Sequence, residues 1–445
     1  MKKIKHILVC GLAVVASAVA VQAQTLTQDW KVTKGLPAAA NARWGIGFDG
    51  KVYINDKSVP QIIAINAEGQ TTVATSAAGT AITVDGAGNF IVNDGFPNAA
   101  SSTTFKILPA GTTEMIDLTV TLPEGVTAGR LDFLGRAVGN VMSETGGAFY
   151  ITPASSGKIA KIFVAKGVQV AEKSKAIAAG IACASDGHVQ PADNNPETDN
   201  IFVRPARAQA FFDGLTKVGT ANLTAGGDAV TLDGTLFTFE PCGTNYVDGF
   251  QVVNRATNEV VATHENEFSK SAAAPNQNAI SVEKVDEYTA AIYQYVPGQM
   301  VAKYTFSLPK MYILGQNEVG DAWNPTSGIA MTWESGNVWS ATVTTAPGRE
   351  NLGFVSVLAE NNDEGGWTYV NGNRWGLEND KQEGALAEKL TVSKNSNSIN
   401  VGVGTFFIRM NLDDNTLYIA PTKLYVIGTS NKAEGHHWAS DDDSY

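Results

Sequence analysis

The sequence predicts an all-β protein, a six-bladed β-propeller followed by an immunoglobulin-like β-sandwich, on three observations. Short apolar runs separated by Gly- and Asp-containing turns recur over residues 30–308, with no sustained helical periodicity. Six of these units follow one another at spacings of about 36 to 52 residues, the period of propeller blades. After Lys310 the composition changes, with five tryptophans in 53 residues against two in the preceding mature chain.

Each blade unit begins as a strand, a tight turn and a second strand. Residues 46–54 form one copy around Asp49-Gly50, and residues 82–92 form the clearest, around Asp85-Gly86-Ala87-Gly88-Asn89. Segments 131–141, 181–189 and 230–238 follow, and 280–292 is a degenerate sixth. Asp and Gly accept the positive φ angles that a two-residue hairpin demands. A third apolar run follows in each unit, at 62–65, 104–107, 159–164, 210–212, 250–253 and 301–306. A fourth, outer strand is expected after it, as at 71–73 and 259–261. A closed ring protects the edges of such sheets, which is why the pattern repeats without an exposed edge. A pair of β-sandwiches is the rival architecture. The element at 84–91 resembles the blades of NHL-type and quinoprotein-like propellers, a resemblance that implies a fold and no ligand.

The tryptophan-rich segment reads as about 110 residues of short strands, the size of one immunoglobulin-like sandwich. Runs at 311–315, 331–333, 336–343 and 352–357 lead to a final hairpin, 402–412 and 416–419 across Asp413-Asp414-Asn415. Its order is Tyr-Ile-Leu-Gly, Ala-Trp-Asn, a tryptophan strand, a Phe strand, Arg374-Trp375-Gly376 and Gly-Thr-Phe-Phe. That order resembles the SusE/SusF-type starch-binding outer-membrane proteins. The resemblance implies tandem sandwiches that hold glucans on aromatic platforms assisted by basic and amide side chains. Family members are usually lipid-anchored and lack a propeller, so this chain departs from them in both respects.

Residues 423–428 repeat residues 310–315 at an offset of 113, and Trp438 falls near the place of Trp323. Residues 422–445 therefore read as the start of a second sandwich, too short to bury a core and expected to be disordered. The expected domains are a signal peptide (1–23), the propeller (24–308), the sandwich (309–421) and this partial repeat.

The signal peptide is read from a basic start, an apolar stretch at 7–21 and Val21-Gln22-Ala23 before cleavage. The stretch is shorter than the ~20 residues a spanning helix needs, so no transmembrane segment is expected after signal removal. Val9 before Cys10 is not a lipid-attachment context. The product is expected in the periplasm, on the outer-membrane surface or secreted. A net charge of −12 offers no footprint for nucleic acid. Cys183 and Cys242 alone remain after the signal, which makes no disulfide framework.

Sugars stack on exposed aromatic rings while amide and charged groups bind their hydroxyls. Trp367, Asn371, Asn373, Arg374 and Trp375 lie in one polar, Gly-rich stretch, 365–376, expected as a wet loop. Trp323 and Asn324 join them as candidate carbohydrate-binding residues, although packing of Trp375 in the core is the competing reading. Trp333 and Trp339 sit on alternating strands, where the core is the better place for at least one. No catalytic residue, cofactor or metal is expected. His188 and His264 lack ligand spacing, and no Gly-x-Ser-x-Gly elbow occurs. The recurrent Asp49, Asp85, Asp132 and Asp186 read as turn formers rather than catalytic acids. Neither 193–199 nor 361–364 completes a calcium loop. The expected partner is an oligosaccharide or polysaccharide, with other envelope proteins as possible additional partners. The alternatives are an extracellular scaffold or adhesion protein, and a propeller-type lyase, hydrolase or lactonase.

Overall fold

The computed structural model describes residues 24–75, 79–94, 102–129, 131, 133–154, 156–178, 188–191, 194–199, 201–204, 209–213, 216–221, 228–242, 249–266, 279–315, 323–377, 389–394 and 398–422; at 102–103, 178, 188, 190, 202–221, 377 and 389–394 only the backbone is described. The protein is all-β and divides into two compact units, with the boundary between Leu308 and Pro309.

In the first unit β1 (Thr25–Val32) precedes six antiparallel groups of strands. The first sheet holds β2 (Gly45–Phe48), β3 (Lys51–Asp56), β4 (Gln61–Asn66) and β5 (Gly69–Thr75). The second holds β6 (Ile82–Val84), β7 (Phe90–Asn93), β8 (Ser102–Leu108) and β9 (Ile116–Thr121). The third runs β10 (Val138–Gly139), β11 (Gly147–Ile151) and β12 (Lys158–Ala165), with β13 (Val168–Gln169) and β14 (Lys175–Ala178) both paired to β12. The fourth holds β15 (His188–Pro191), β16 (Ile201–Arg204), β17 (Gln209–Asp213) and β18 (Thr216–Ala221). The fifth holds β19 (Asp228–Leu232), β20 (Thr235–Cys242), β21 (Gly249–Asn254) and β22 (Glu259–Glu265). The sixth holds β23 (Ala279–Lys284), β24 (Thr289–Val296) and β25 (Met300–Ser307), and its fourth strand is β1, paired to β25 from Thr25↔Ser307 to Val32↔Val301.

The turns explain the hairpins. Asp49 (φ 46°) with Gly50 (φ 76°), and Asp233 (φ 46°) with Gly234 (φ 72°), place two successive residues in the left-handed region that a two-residue loop requires. First strands of neighbouring sheets lie side by side in four places: β2 beside β6 and β23, β15 beside β19, and β19 beside β23. Segment 131–141 corrects the expected pattern, because it makes no hairpin of its own. The Ala137 amide donates to the Val84 carbonyl at 3.1 Å and to Thr83 Oγ1 at 3.0 Å, so this stretch bonds to the second sheet. Only Val138–Gly139 pairs onward with β11. Strands β3, β4, β7, β11 and β24 are buried almost throughout, whereas the outer β5 is mostly exposed.

The second unit contains β26 (Tyr312–Leu314), β27 (Ile329–Ala330), β28 (Thr332–Ser335), β29 (Val338–Thr345) and β30 (Asn351–Val355). A helix, α1 (Glu364–Asn371), then leads to β31 (Arg374–Leu377), β32 (Lys389–Lys394), β33 (Ile399–Asn400), β34 (Gly404–Asn411) and β35 (Thr416–Pro421). The strand order is β27-β26-β30-β31-β32-β35-β34-β29-β28, with β33 on β30. Strand β32 pairs with β31 near Lys394 and with β35 near Lys389, so it carries the chain's hydrogen bonding from one group of strands into the other. Residues 329–335 do the same at the far end, pairing first with β26 and then with β29. The final hairpin turns at Asn415 (φ 54°) with Asn411 opposite Thr416.

Candidate binding site

Alternation along the paired strands β26, β30 and β31 sorts the apolar residues of the second unit onto two opposite faces. Ile313, Phe354 and Trp375 share one of these faces and are buried, as are Trp333 and Trp339. Both of the latter anchor their indole N–H groups on carbonyls at 3.0 Å, Trp333 on Gly336 and Trp339 on Pro309. Leu314 and Val355 point the other way, into a smaller cluster with Ala359 and Val370, on which Tyr312, Trp323, Leu358 and Trp367 are half-buried.

Helix α1 roofs this outer cluster and replaces the wet loop expected over 365–376. Asp363 makes the helix possible, because its carboxylate accepts from the Gly366 amide at 2.7 Å and caps the first turn, with Glu364 adding favourable charge there. Gly366 is required for a second reason: a Cβ there would lie 2.0 Å from the Asn361 carbonyl. The helix turns Val370 and Trp367, three residues apart, onto the cluster and leaves Tyr369 exposed. Leu358, Ala359, Glu360, Asn361, Gly366 and Tyr369 line a cleft of about 430 Å³ beside it.

Arg374 and Trp323 meet on the same outer face. Arg374 lies opposite Val355 in the β30–β31 register, and its Cζ sits 5.2 Å from the Trp323 ring centroid, a cation–π arrangement. Two glycines make room. A Cβ on Gly353 would approach Arg374 Nε to 3.1 Å and the Trp323 ring to 3.3 Å, and one on Gly315 would approach that ring to 2.9 Å. The Arg374 Nε is enclosed and has no hydrogen-bond partner among the described residues. Burial pushes the Arg374 pKa down, with no neighbouring carboxylate among the described residues to oppose it.

The sequence candidates therefore divide. Trp323, Trp367 and Arg374 share the outer face. Trp375 is a correction: it is 2 % exposed, because strand alternation turns it inward when Arg374 turns outward, so it offers no platform. Asn324 spends its side-chain oxygen on a local turn, accepting from the Thr326 amide at 2.9 Å and hydroxyl at 2.8 Å. Asn373 donates back to the Tyr369 carbonyl at 3.1 Å, closing the helix end, and Asn371 is exposed on the last turn. Tyr369 and the cleft were missed by sequence reading. The signal was an Asp363 cap three residues before Gly366, obscured by two glycines that argue against a helix.

In the first unit, charged groups gather where the first strands of the sheets lie together. Arg136 Nη2 donates to the Gly47 carbonyl at 2.9 Å. The Tyr293 hydroxyl donates to Glu283 at 2.8 Å and accepts from the Gly50 amide at 2.9 Å, while the Gly47 amide donates to Ser281 Oγ at 2.6 Å. Asp228 accepts from the Val282 amide at 2.6 Å and from its neighbour Ala229 at 2.8 Å. Burial pushes Asp228 up to about 6, against the pull of Arg136. These groups tie the first, fifth and sixth sheets to one another and to segment 131–141. Asp49 and Asp85 serve turns as expected: Asp85 is fully buried and accepts from the Ala87, Asn89 and Val141 amides. Asp132, Asp186 and Cys183 lie outside the described residues, as does the expected partial repeat at 423–445. His264 Nε2 lies 2.9 Å from the Tyr304 hydroxyl, a packing role. Asp199 is ion-paired to Lys161 and Lys175 rather than open to calcium, and no cluster of metal-ligating side chains occurs among the described residues. Among those residues no helix is long and apolar enough to cross a membrane.

No protein-family model matches the chain, and no curated protein matches it. Among solved structures it is similar to a DUF4623 family protein from Bacteroides eggerthii, at 9 % identity and a TM-score of 0.48 over 64 % of this chain and 77 % of that one. It is also similar to BBS1N from a complex with ARL6DN, at 10 % identity and a TM-score of 0.39 over 64 % and 98 %. A protein of unknown function from Dyadobacter fermentans follows, at 10 % identity and a TM-score of 0.38 over 63 % and 99 %. Likenesses at this level leave the function to be argued from the site.

Proposed function

We propose that the protein is an exported, non-catalytic carbohydrate-binding protein of the cell envelope, and that its second unit holds the sugar on the outer face of β26, β30 and β31. In this reading the six sheets of the first unit are the blades of a closed propeller, latched by β1 on β25, and the second unit is an immunoglobulin-like sandwich. The propeller then serves as spacer or second contact surface. The observation that carries the binding reading is the Arg374 guanidinium over the Trp323 ring, beside half-buried Trp367, exposed Tyr369 and an open cleft. Aromatic rings at the surface supply faces for sugar C–H groups, and the guanidinium supplies directional donors for sugar oxygens. The resemblance to SusE/SusF-type proteins supports the same reading.

The test is a tryptophan-fluorescence titration of the whole chain with malto-oligosaccharides and then other glycans. A saturable change that is lost in Trp367→Ala and in Tyr369→Ala is the expected result. Absence of any response across neutral and acidic glycans would sink the reading and move a protein-scaffold role into first place.

A further inference from the structure

We propose that this outer-face site recognises its glycan through an acidic substituent, a uronate carboxylate or a sulfate ester, received by the Arg374 guanidinium above Trp323. The inference rests on the carbohydrate reading and narrows it to a substrate class.

Arg374 has no carboxylate beside it among the described residues. A guanidinium keeps its charge at every physiological pH and presents five donors in a planar fork. Taking such a group partly out of water without an acceptor costs free energy, and folded proteins normally offset that cost with a carboxylate or carbonyl. Among the described residues the offset is one ring face, that of Trp323; Nε is enclosed without an acceptor, so the donors open to a ligand are those of Nη1 and Nη2, which are not among the enclosed atoms. An oxyanion is the complement that matches both the charge and the fork, and a charge-assisted bidentate pair is stronger than a bond to a neutral hydroxyl.

The side chain is also held in place before any ligand arrives. Its Nε and the indole meet over Gly353, where a Cβ would stand 3.1 Å from one and 3.3 Å from the other, and a Cβ on Gly315 would stand 2.9 Å from the same ring. Little rotamer freedom then remains to be lost on binding, which favours affinity. The chain carries a net charge of −12, so it does not attract polyanions generally. Selection of an acidic sugar must come from this local cation rather than from the overall field.

The experiment titrates the full chain, by calorimetry and tryptophan fluorescence, with three probes of similar length: maltohexaose, a galacturonic acid hexasaccharide and a sulfated galactan oligosaccharide. At least one acidic probe is expected to bind ten-fold or more tightly than maltohexaose. Arg374→Gln should bring it down to the neutral level, and Arg374→Lys should restore only part of the preference, since an ammonium lacks the fork. Thermal melts of both variants alongside the parent separate lost binding from lost folding. Whichever of the uronate and sulfate probes responds identifies the source of the oxyanion. Equal affinity for maltohexaose and both acidic probes overturns the acidic-substituent inference while leaving carbohydrate binding intact. No response to any probe overturns both.

Discussion

Single residues in this protein show how burial decides what a side chain is for. Lys161 and Asp199 are 2 % and 7 % exposed and meet at 2.8 Å, with the Lys161 ammonium also donating to the Thr198 carbonyl at 2.7 Å. Burial pushes the Asp199 pKa up, but hydrogen bonds from Lys161 and Lys175 outweigh it and hold the carboxyl below its usual range. Its contribution to stability is therefore present above the ordinary aspartate value of 3.8 and is lost as pH falls through the lowered folded value. Asp199→Asn leaves a buried ammonium without its counter-charge and is expected to destabilise the first unit by about 3–5 kcal/mol, read from urea unfolding. Gly353 is the corresponding position in the second unit. Gly353→Ala drives a methyl against Arg374 and Trp323, with an expected cost of about 1–3 kcal/mol and a shift in tryptophan emission. An unchanged spectrum would show that the indole does not rest on that glycine.

At the scale of elements, α1 is the instructive case. Its sequence, Glu364-Gly365-Gly366-Trp367-Thr368-Tyr369-Val370-Asn371, has poor intrinsic helix propensity. It is helical because Asp363 caps it and because Val370 and Trp367 find an apolar patch to cover. Asp363→Ala should cost about 1 kcal/mol and loosen Tyr369 and the cleft together, so hydrogen exchange at 366–371 should rise with the loss of stability. Protection unchanged by that substitution would mean that packing alone holds the helix. The hairpins are the opposite case, since Asp49-Gly50 and Asp233-Gly234 specify their turns locally through positive φ. Segment 131–141 looked similar in sequence, yet it went to the second sheet because Thr83 and Val84 offered it hydrogen bonds that its own hairpin did not.

For the whole first unit, the termini and the convergent charges carry the long-range organisation. Strand β1 joins residues 25–32 to residues 301–307 and completes the sixth sheet. Deleting 25–32 leaves β25 with an open edge, so the expected outcome is a large fall in melting temperature and a tendency to associate. A deletion variant as stable and monomeric as the parent would show that β1 is not needed to cover that edge. Asp228 supplies a pH test. Its folded pKa of about 6 lies above the ordinary 3.8, so protonation favours the folded state. The stability it contributes is complete below 3.8 and is lost as pH rises through about 6, on the order of 3 kcal/mol over that window. Asp228→Asn should flatten this component of the melting temperature against pH between about 4 and 6, and a profile of unchanged slope would place the burial cost elsewhere.

What the sequence determined by itself is local. Turn chemistry and two-residue alternation marked most strands of the first unit, the final hairpin at Asp413-Asp414-Asn415 and the change of character near Lys310, because each depends on neighbours a few residues away. The outer-face grouping of Trp323 and Arg374 was legible only as a list of suitable residue types. Tertiary structure decided that β1 completes the last sheet, that Trp375 faces inward while Arg374 faces outward, and that two glycines far apart in sequence, Gly315 and Gly353, make room for one indole. Those outcomes depend on register between distant strands, and register is set by which face of each strand the packed core will accept.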